Sequence, residues 1–305
     1  MTGGPPISVI VPTRNRPELL ARCLKALRTT TDPTDEIIAC DSASTDPRVR
    51  EAAEAGGATY VRIERPGTSL ARNVGWAAAR HDLIAFVDDD IEVTAGWAEA
   101  IRTAFAADPK LGLLTGRVEV PEADAAVDHP TSIETSTQRH ELAAGAARPP
   151  GISGNCATRR DVLVSVGGFD EGLGPGTRFR AGEDKDLFDR ILRAGAKGRY
   201  EPGMFVRHVQ WRSRAERLRL DWSYGIGSGA RLAKILKTDR RHARAVARDT
   251  FIRWGLADLA TCIRNRYKLG AAAAMLRIAG MITGIVAGLM TPVRAGHFAS
   301  GGRAS

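Results

Sequence analysis

The sequence predicts an α/β protein: a mostly parallel sheet with helices on both faces, followed by a helical C-terminal extension. Three observations carry that prediction. Short apolar runs alternate with segments of helical apolar spacing from residue 7 to residue 120. Polar and acidic residues follow three of those runs directly, where parallel sheets open their ligand-binding crevices. Beyond residue 212 the strand pattern gives way to basic helical segments.

Each element has its own reason. Residues 7–13 (ISVIVPT) form a β-branched run and read as the first strand. Residues 17–30 place apolar side chains at helical spacing behind Pro17, a residue suited to a first helical turn. Residues 36–42 (EIIACDS) read as strand, and 46–57 as a helix stopped by glycine. Strands are then predicted over 59–64, 83–89 and 111–120, with helices over 69–80 and 96–108 between them. Residues 121–150 lose all periodicity, as functional or mobile loops do. Strand-like character resumes over 151–160. A glycine-led acidic helix covers 180–195, and 197–211 reads as a final pair of strands.

Composition narrows the class. The 305 residues are 43% hydrophobic and 26% charged, as in a globular protein. Four well-separated cysteines, with no CxxC pair, predict free thiols in a reducing compartment rather than a disulfide framework or zinc site. The N-terminus lacks the basic start and apolar stretch of a secretory signal. Net charge is +9, unevenly placed: residues 207–268 hold 16 Lys and Arg against 5 Asp and Glu, so this segment carries +11 and the remainder −2. That pattern argues against a uniformly basic nucleic-acid binder.

The chemistry gathers at strand ends. Asp88, Asp89 and Asp90 close the run Leu83–Val87 with no basic neighbour in sequence. Carboxylates this close raise one another's pKa, and a divalent cation relieves the repulsion. Asp41, Ser44 and Asp46 follow the second strand as donors and acceptors for the crevice; capping of the next helix is the competing reading for Asp46 and a weaker one for Asp41, which lies too early to cap. No GxGxxG follows the first strand and no GxxxxGK[ST] occurs, which disfavours a dinucleotide oxidoreductase and a P-loop NTPase.

The ordered set SVIVPTRNR, CDSASTD, SLARNVG, FVDDD, GGFDE and GEDKDL resembles family 2 nucleotide-sugar glycosyltransferases, the non-processive bacterial type, over roughly residues 7 to 211. The resemblance implies a GT-A fold, a mostly parallel Rossmann-like sheet with a catalytic domain over 1–211. Its halves would be 1–120, binding nucleotide, and 121–211, binding acceptor, with a basic and amphipathic helical region over 212–305. It implies an inverting transfer of a single sugar from a nucleoside-diphosphate sugar, a UDP-sugar favoured, to an acceptor hydroxyl. The polymerising members carry a QxxRW stretch that Gln210–Trp211–Arg212 does not match. The cofactor implied is Mn2+ or Mg2+, held by Asp90 and His208. Nucleotide contacts fall to Pro12, Arg14, Asp41, Ser44, Arg72, Asp88 and Asp89. The acceptor is assigned to Glu183, Asn155 and Gly154, and the general base is Asp184.

Two rival enzymatic or binding classes fit less well. A sugar-1-phosphate nucleotidylyltransferase shares such a sheet but usually has a Gly-rich, Arg-containing loop after the first strand, unlike PTRNRPE. A non-catalytic nucleotide-sugar-binding module would be expected to lose its acidic motifs, which are present here. The acceptor class (glycan, lipid-linked or small molecule) is open. Residues 269–293 contain a single charge, Arg277, with Gly280, Gly284 and Gly288 on one face and Met275, Ile278, Ile282, Ile285 and Leu289 on another. Next to a basic segment, such a helix suits contact with an anionic membrane surface, packing on the protein, or a homo-oligomer. The expected location is cytoplasmic, with a peripheral place at the inner face of the membrane, and no nucleic acid is expected as partner.

Overall fold

The computed structural model describes residues 4–127, 130–146 and 149–299. The chain forms two compact units. The first takes Met1–Ala144, Pro149–Gly168 and Leu187–Trp211; the second takes Gly145–Arg148, Phe169–Asp186 and Arg212–Ser305.

The first unit is built on a nine-stranded sheet. Its strands are β1 (Ile7–Thr13), β2 (Glu36–Ser42), β3 (Thr59–Ile63), β4 (Leu83–Val87), β5 (Ile91–Val93), β6 (Leu111–Glu119), β7 (His140–Leu142), β8 (Asn155–Arg159) and β9 (Lys197–His208). They lie in the order β3-β2-β1-β4-β8-β6-β9-β5, with β7 also paired to β9. The first four strands are mutually parallel. β8 runs against β4 and β6, while β5 and β7 run against β9. Every residue of β1, β2 and β4 is buried, which is why these strands read as continuous apolar runs rather than alternating ones.

Five helices accompany the sheet: α1 (Pro17–Arg28), α2 (Arg48–Ala55), α3 (Thr68–Ala78), α4 (Trp97–Ala107) and α5 (Arg160–Val166). α1 presents Leu20, Cys23, Leu24 and Leu27 at the i, i+3, i+4, i+7 spacing, and all four are buried in the sheet's core. α6 (Glu183–Arg193) begins in the second unit and ends in the first. All four cysteines are free, as expected, and all are buried.

Two expectations are corrected. Residues 197–211 hold one long strand, not a pair. Glu201-Pro202-Gly203 punctuates the sequence like a turn, but β6 pairs on both sides of it, Gly116 with Glu201 and Val118 with Val206, so the interruption becomes an irregularity within one strand. The C-terminal region is not wholly helical either: β10 (Val293–Arg294) and β11 (His297–Phe298) form a short hairpin.

The second unit is mainly helical, with α7 (Arg214–Thr238), α8 (Arg240–Ala247), a π-helical segment (Arg248–Ala257), α9 (Asp258–Arg264) and α10 (Lys268–Leu289). A capping box starts α7: Ser213 accepts the Glu216 amide while Glu216 reaches back to Ser213. α7 and α10 meet backbone to backbone through glycines. A Cβ on Gly225 would fall 2.1 Å from Arg277 O, and one on Gly284 would fall 2.0 Å from Ile226 O. The small-residue face read from the sequence is this seam.

Candidate active site

Strand register assembles the acidic site in the first unit. The parallel β1–β2 pair sets Thr13 beside Asp41. The antiparallel β4–β8 pair sets Val87 opposite Asn155, which brings Gly154 to Asp88. The antiparallel β5–β9 pair sets Ile91 opposite His208, and Val209 N donates to Asp90 O at 2.9 Å. Asp90 and His208, 118 positions apart in sequence, thus share one corner.

The three aspartates have three different surroundings. Asp88 is a third exposed, and its Oδ1 lies 2.5 Å from Nη2 of the buried Arg72. Asp89 is fully buried; Thr13 Oγ1 donates to its Oδ2 at 2.7 Å, and Arg16 Nη2 stands 2.7 Å from its Oδ1. Desolvation pushes the Asp89 carboxyl up to about 7, with Arg16 opposing and Asp90 adding to the shift. Asp90 is buried; its Oδ2 accepts from Trp211 Nε1 at 2.9 Å and from Arg16 Nη1 at 3.2 Å. For Arg16, burial opposes the charge, but the three aspartates outweigh it and raise its pKa. The Arg16 guanidinium also stacks over Trp211, 5.2 Å from the ring centroid.

His208 completes the corner. Its Nε2 lies 3.4 Å from Asp90 Oδ1, and its Nδ1 lies 3.0 Å from Thr131 O. Gln210 fixes this arrangement: Oε1 accepts the Thr131 amide, while Nε2 donates to the carbonyls of His208 and Thr131. His208 Nδ1 also lies 3.1 Å from Gln210 Nε2; in the tautomer whose Nδ1–H donates to Thr131 O, the His208 Nε2 lone pair turns toward a carboxylate oxygen. Two electron-rich atoms in that position favour a cation between them. The wider charge balance agrees, since the three carboxylates are paired with the guanidiniums of Arg16 and Arg72, three negative charges against two positive. Among the described residues no group of three or more His, Cys, Asp or Glu is arranged to hold a metal. Two protein donors suit a hard cation whose remaining positions go to phosphate oxygens and water, so the residues present fit Mn2+ or Mg2+.

At the end of β2, Asp41 is buried and heavily engaged. Its Oδ1 accepts the Ser44 amide at 2.8 Å, and its Oδ2 accepts Tyr60 Oη at 2.6 Å and Arg62 Nη1 at 3.1 Å. Ser44 Oγ accepts the Asn15 amide, tying the loops after β1 and β2. Pro12 is buried within β1 and Arg14 is exposed.

The residues assigned to the acceptor fall in different settings. Asn155 lies wholly inside: its Oδ1 accepts Trp97 Nε1, and its Nδ2 donates to the carbonyls of Arg117 and Met204. Gly154 backs onto a nucleotide-assigned residue, for a Cβ there would meet Asp88 Oδ2 at 2.5 Å. In the second unit, Glu183 is buried and Asp184 half-buried at the start of α6, where Asp184 Oδ1 accepts the Lys185 amide at 2.7 Å. Asp186 is held by Lys234 at 2.5 Å, and the same Lys234 Nζ donates to Asp170 Oδ2 at 2.6 Å. Asp170, the aspartate of GGFDE, also accepts the amides of Gly172 and Phe298.

Sequence reasoning missed Arg16, Trp211, Gln210 and Lys234. Arg16 alone carried a readable signal, as a cation just past a strand end facing the crevice.

A mixed sheet of this order, with acidic residues grouped beyond its fourth strand, defines the GT-A class. Residues 8–167 match glycosyl transferase family 2, and the chain belongs to that family. It is 27% identical over 263 residues to the pre-mycofactocin glycosyltransferase of Mycobacterium tuberculosis, covering 84% of this chain and 53% of that one. It is 26% identical over 196 residues to the human probable polypeptide N-acetylgalactosaminyltransferase 8, covering 59% and 30%. The chain therefore spans about half the length, or less, of these curated relatives. Among solved structures, the mannosyltransferase PcManGT of Pyrobaculum calidifontis in complex with GDP-Man and Mn2+ matches with a TM-score of 0.63 at 20% identity, over 92% of this chain and 87% of that one. GalNAc-T7 with UDP, GalNAc and Mn2+ matches with a TM-score of 0.55 at 17% identity, over 88% and 59%. At these identities the likeness speaks to the fold.

Proposed function

We propose that the protein is an inverting, divalent-metal-dependent glycosyltransferase that moves a single sugar from a nucleoside-diphosphate sugar, a UDP-sugar favoured, to an acceptor hydroxyl. The observation that carries this reading is the corner where Asp90 Oδ1 and His208 Nε2 stand 3.4 Å apart, next to the Arg72–Asp88 pair. When bound there, a divalent cation offsets the charge that collects on a departing diphosphate. Asp88 orients the ribose or an ordered water, and Arg72 keeps that carboxylate in place and adds positive charge for phosphate. Asp41, anchored by Tyr60 and Arg62, receives the base edge. Asp184 takes the proton of the acceptor hydroxyl as it attacks the anomeric carbon, and a single displacement inverts that centre. The location we propose is cytoplasmic, where the buried free thiols stay reduced.

The deciding experiment is thermal melting with UDP or GDP, with and without Mn2+, on the wild type and on Asp90→Asn and His208→Ala. A ligand selective for the folded state raises the melting temperature by mass action. The wild type should be stabilised by nucleotide and metal together, and the two variants should lose the metal-dependent part. Equal metal dependence in all three proteins would remove Asp90 and His208 from the assignment.

A further inference from the structure

The helical second unit leaves an apolar surface uncovered. On α10, Ile282 and Val286 are each 56% exposed and Leu289 46%, in a row opposite the glycine seam. The π-helical segment and α9 pack along α10, and they expose Ile252, Leu256 and Ile263 at 55–62%. Single exposed aliphatic residues are ordinary; rows of them on packed neighbouring helices mark an interaction surface.

The charge around these rows identifies the occupant. Arg253, Arg264 and Lys268 are exposed on the same elements, and Arg266 in the turn between α9 and α10. These three elements carry two carboxylates, Asp249, 3.7 Å from Arg253 Nη1, and Asp258, bound by Arg277 Nη2 at 2.7 Å. A second copy meeting this face across a two-fold axis would set arginine against arginine, with both carboxylates already engaged by arginines of their own copy. A transmembrane span fits no better, although α10 is long and apolar enough for one. Its glycine face is closed by the backbone of α7, and Arg277, in mid-helix, is buried against Asp221, Asp258 and the Trp254 ring.

We infer that this face of α10, α9 and the π-helical segment docks on an anionic lipid bilayer, its aliphatic rows entering the headgroup–acyl boundary and its basic residues meeting lipid phosphate. The inference is independent of the donor chemistry, and its test contains no nucleotide. The full chain is floated with phosphatidylcholine vesicles and with vesicles in which about a third of the lipid is phosphatidylglycerol. Each basic residue at an anionic surface strengthens binding roughly fivefold, so the anionic vesicles should bind at least about tenfold more protein, and added salt should weaken that binding. Ile282→Glu with Val286→Glu, both at exposed positions, should abolish flotation while leaving melting temperature and oligomeric state unchanged. Should that variant melt early, Arg264→Gln with Arg266→Gln decides, by a loss of the anionic preference. Failure of the wild type to float with either vesicle overturns the inference, as does equal flotation of the folded glutamate variant. So does light scattering that shows a dimer dissociated by the same substitutions in a protein that ignores vesicles.

Discussion

Arg72 Nη2 lies 2.5 Å from Asp88 Oδ1, with the guanidinium buried and the carboxylate open on one side. The pair fixes a carboxylate at the crevice edge by an arginine that cannot turn toward solvent. Arg72→Met removes the arginine that forms the ion pair with Asp88. Losing one member of a buried pair costs about 3–5 kcal/mol; the exposure of Asp88 reduces that to about 1–3 kcal/mol. Urea unfolding should register this loss, and calorimetry should show weaker binding of nucleoside diphosphate. Undiminished binding would move the phosphate contact elsewhere.

Gly154→Ala tests the other side of the same carboxylate. The added Cβ would stand 2.5 Å from Asp88 Oδ2 and 2.7 Å from Cγ, so Asp88 must swing and give up its bond to Arg72. Overpacking of this kind costs about 1–3 kcal/mol. The expected result is a folded protein whose affinity for diphosphate with Mn2+ falls by about tenfold, on the scale of one such interaction. Wild-type affinity would mean that Asp88 position does not matter to the ligand.

Asp184→Asn keeps the shape of the α6 start but cannot accept a proton. Removing a positioned base costs on the order of 10²–10⁴ in rate. Turnover should fall by that factor while donor affinity, carried by Asp88, Asp90 and Arg72, stays within about twofold, a shift under 0.5 kcal/mol. Loss of both would make Asp184 a binding or folding residue, and retained turnover would move the base to Glu183 or Asp186.

Lys234→Met leaves Asp170 and Asp186 buried together without their shared cation. All three side chains are at most 5% exposed, so destabilisation of about 3–5 kcal/mol is expected. Adding Asp186→Asn to that variant should recover part of the loss, since one buried charge disappears. A melting temperature unchanged by Lys234→Met would contradict the role assigned to this triad.

How far the sequence could be read depends on how local each feature is. The strands from Ile7 to Val87 were legible because buried parallel strands announce themselves as apolar runs, and Asp88–Asp90 because three carboxylates at a strand end have few other uses. β8 and β9 were harder. Their antiparallel and irregular pairings decide which residues meet, and pairing leaves no trace in a short window. Trp211 reaches Asp90 across 121 positions, and Lys234 reaches Asp170 across 64. Asn155 and Gly154 are adjacent in sequence, yet one is sealed in the core and the other shapes the Asp88 carboxylate. Residue type and motif order cannot separate them; the point where β8 begins, at Asn155 just after the turn that holds Gly154, does.

The backbone seam between α7 and α10 governs how this chain can be shortened. Cutting after Lys268 would bare the glycine groove of α7 along its whole contact and leave Asp221 buried opposite a missing Arg277. The tail is therefore masonry rather than trim, and a form indifferent to lipid has to be reached by repainting its outer face residue by residue, with the helix left standing.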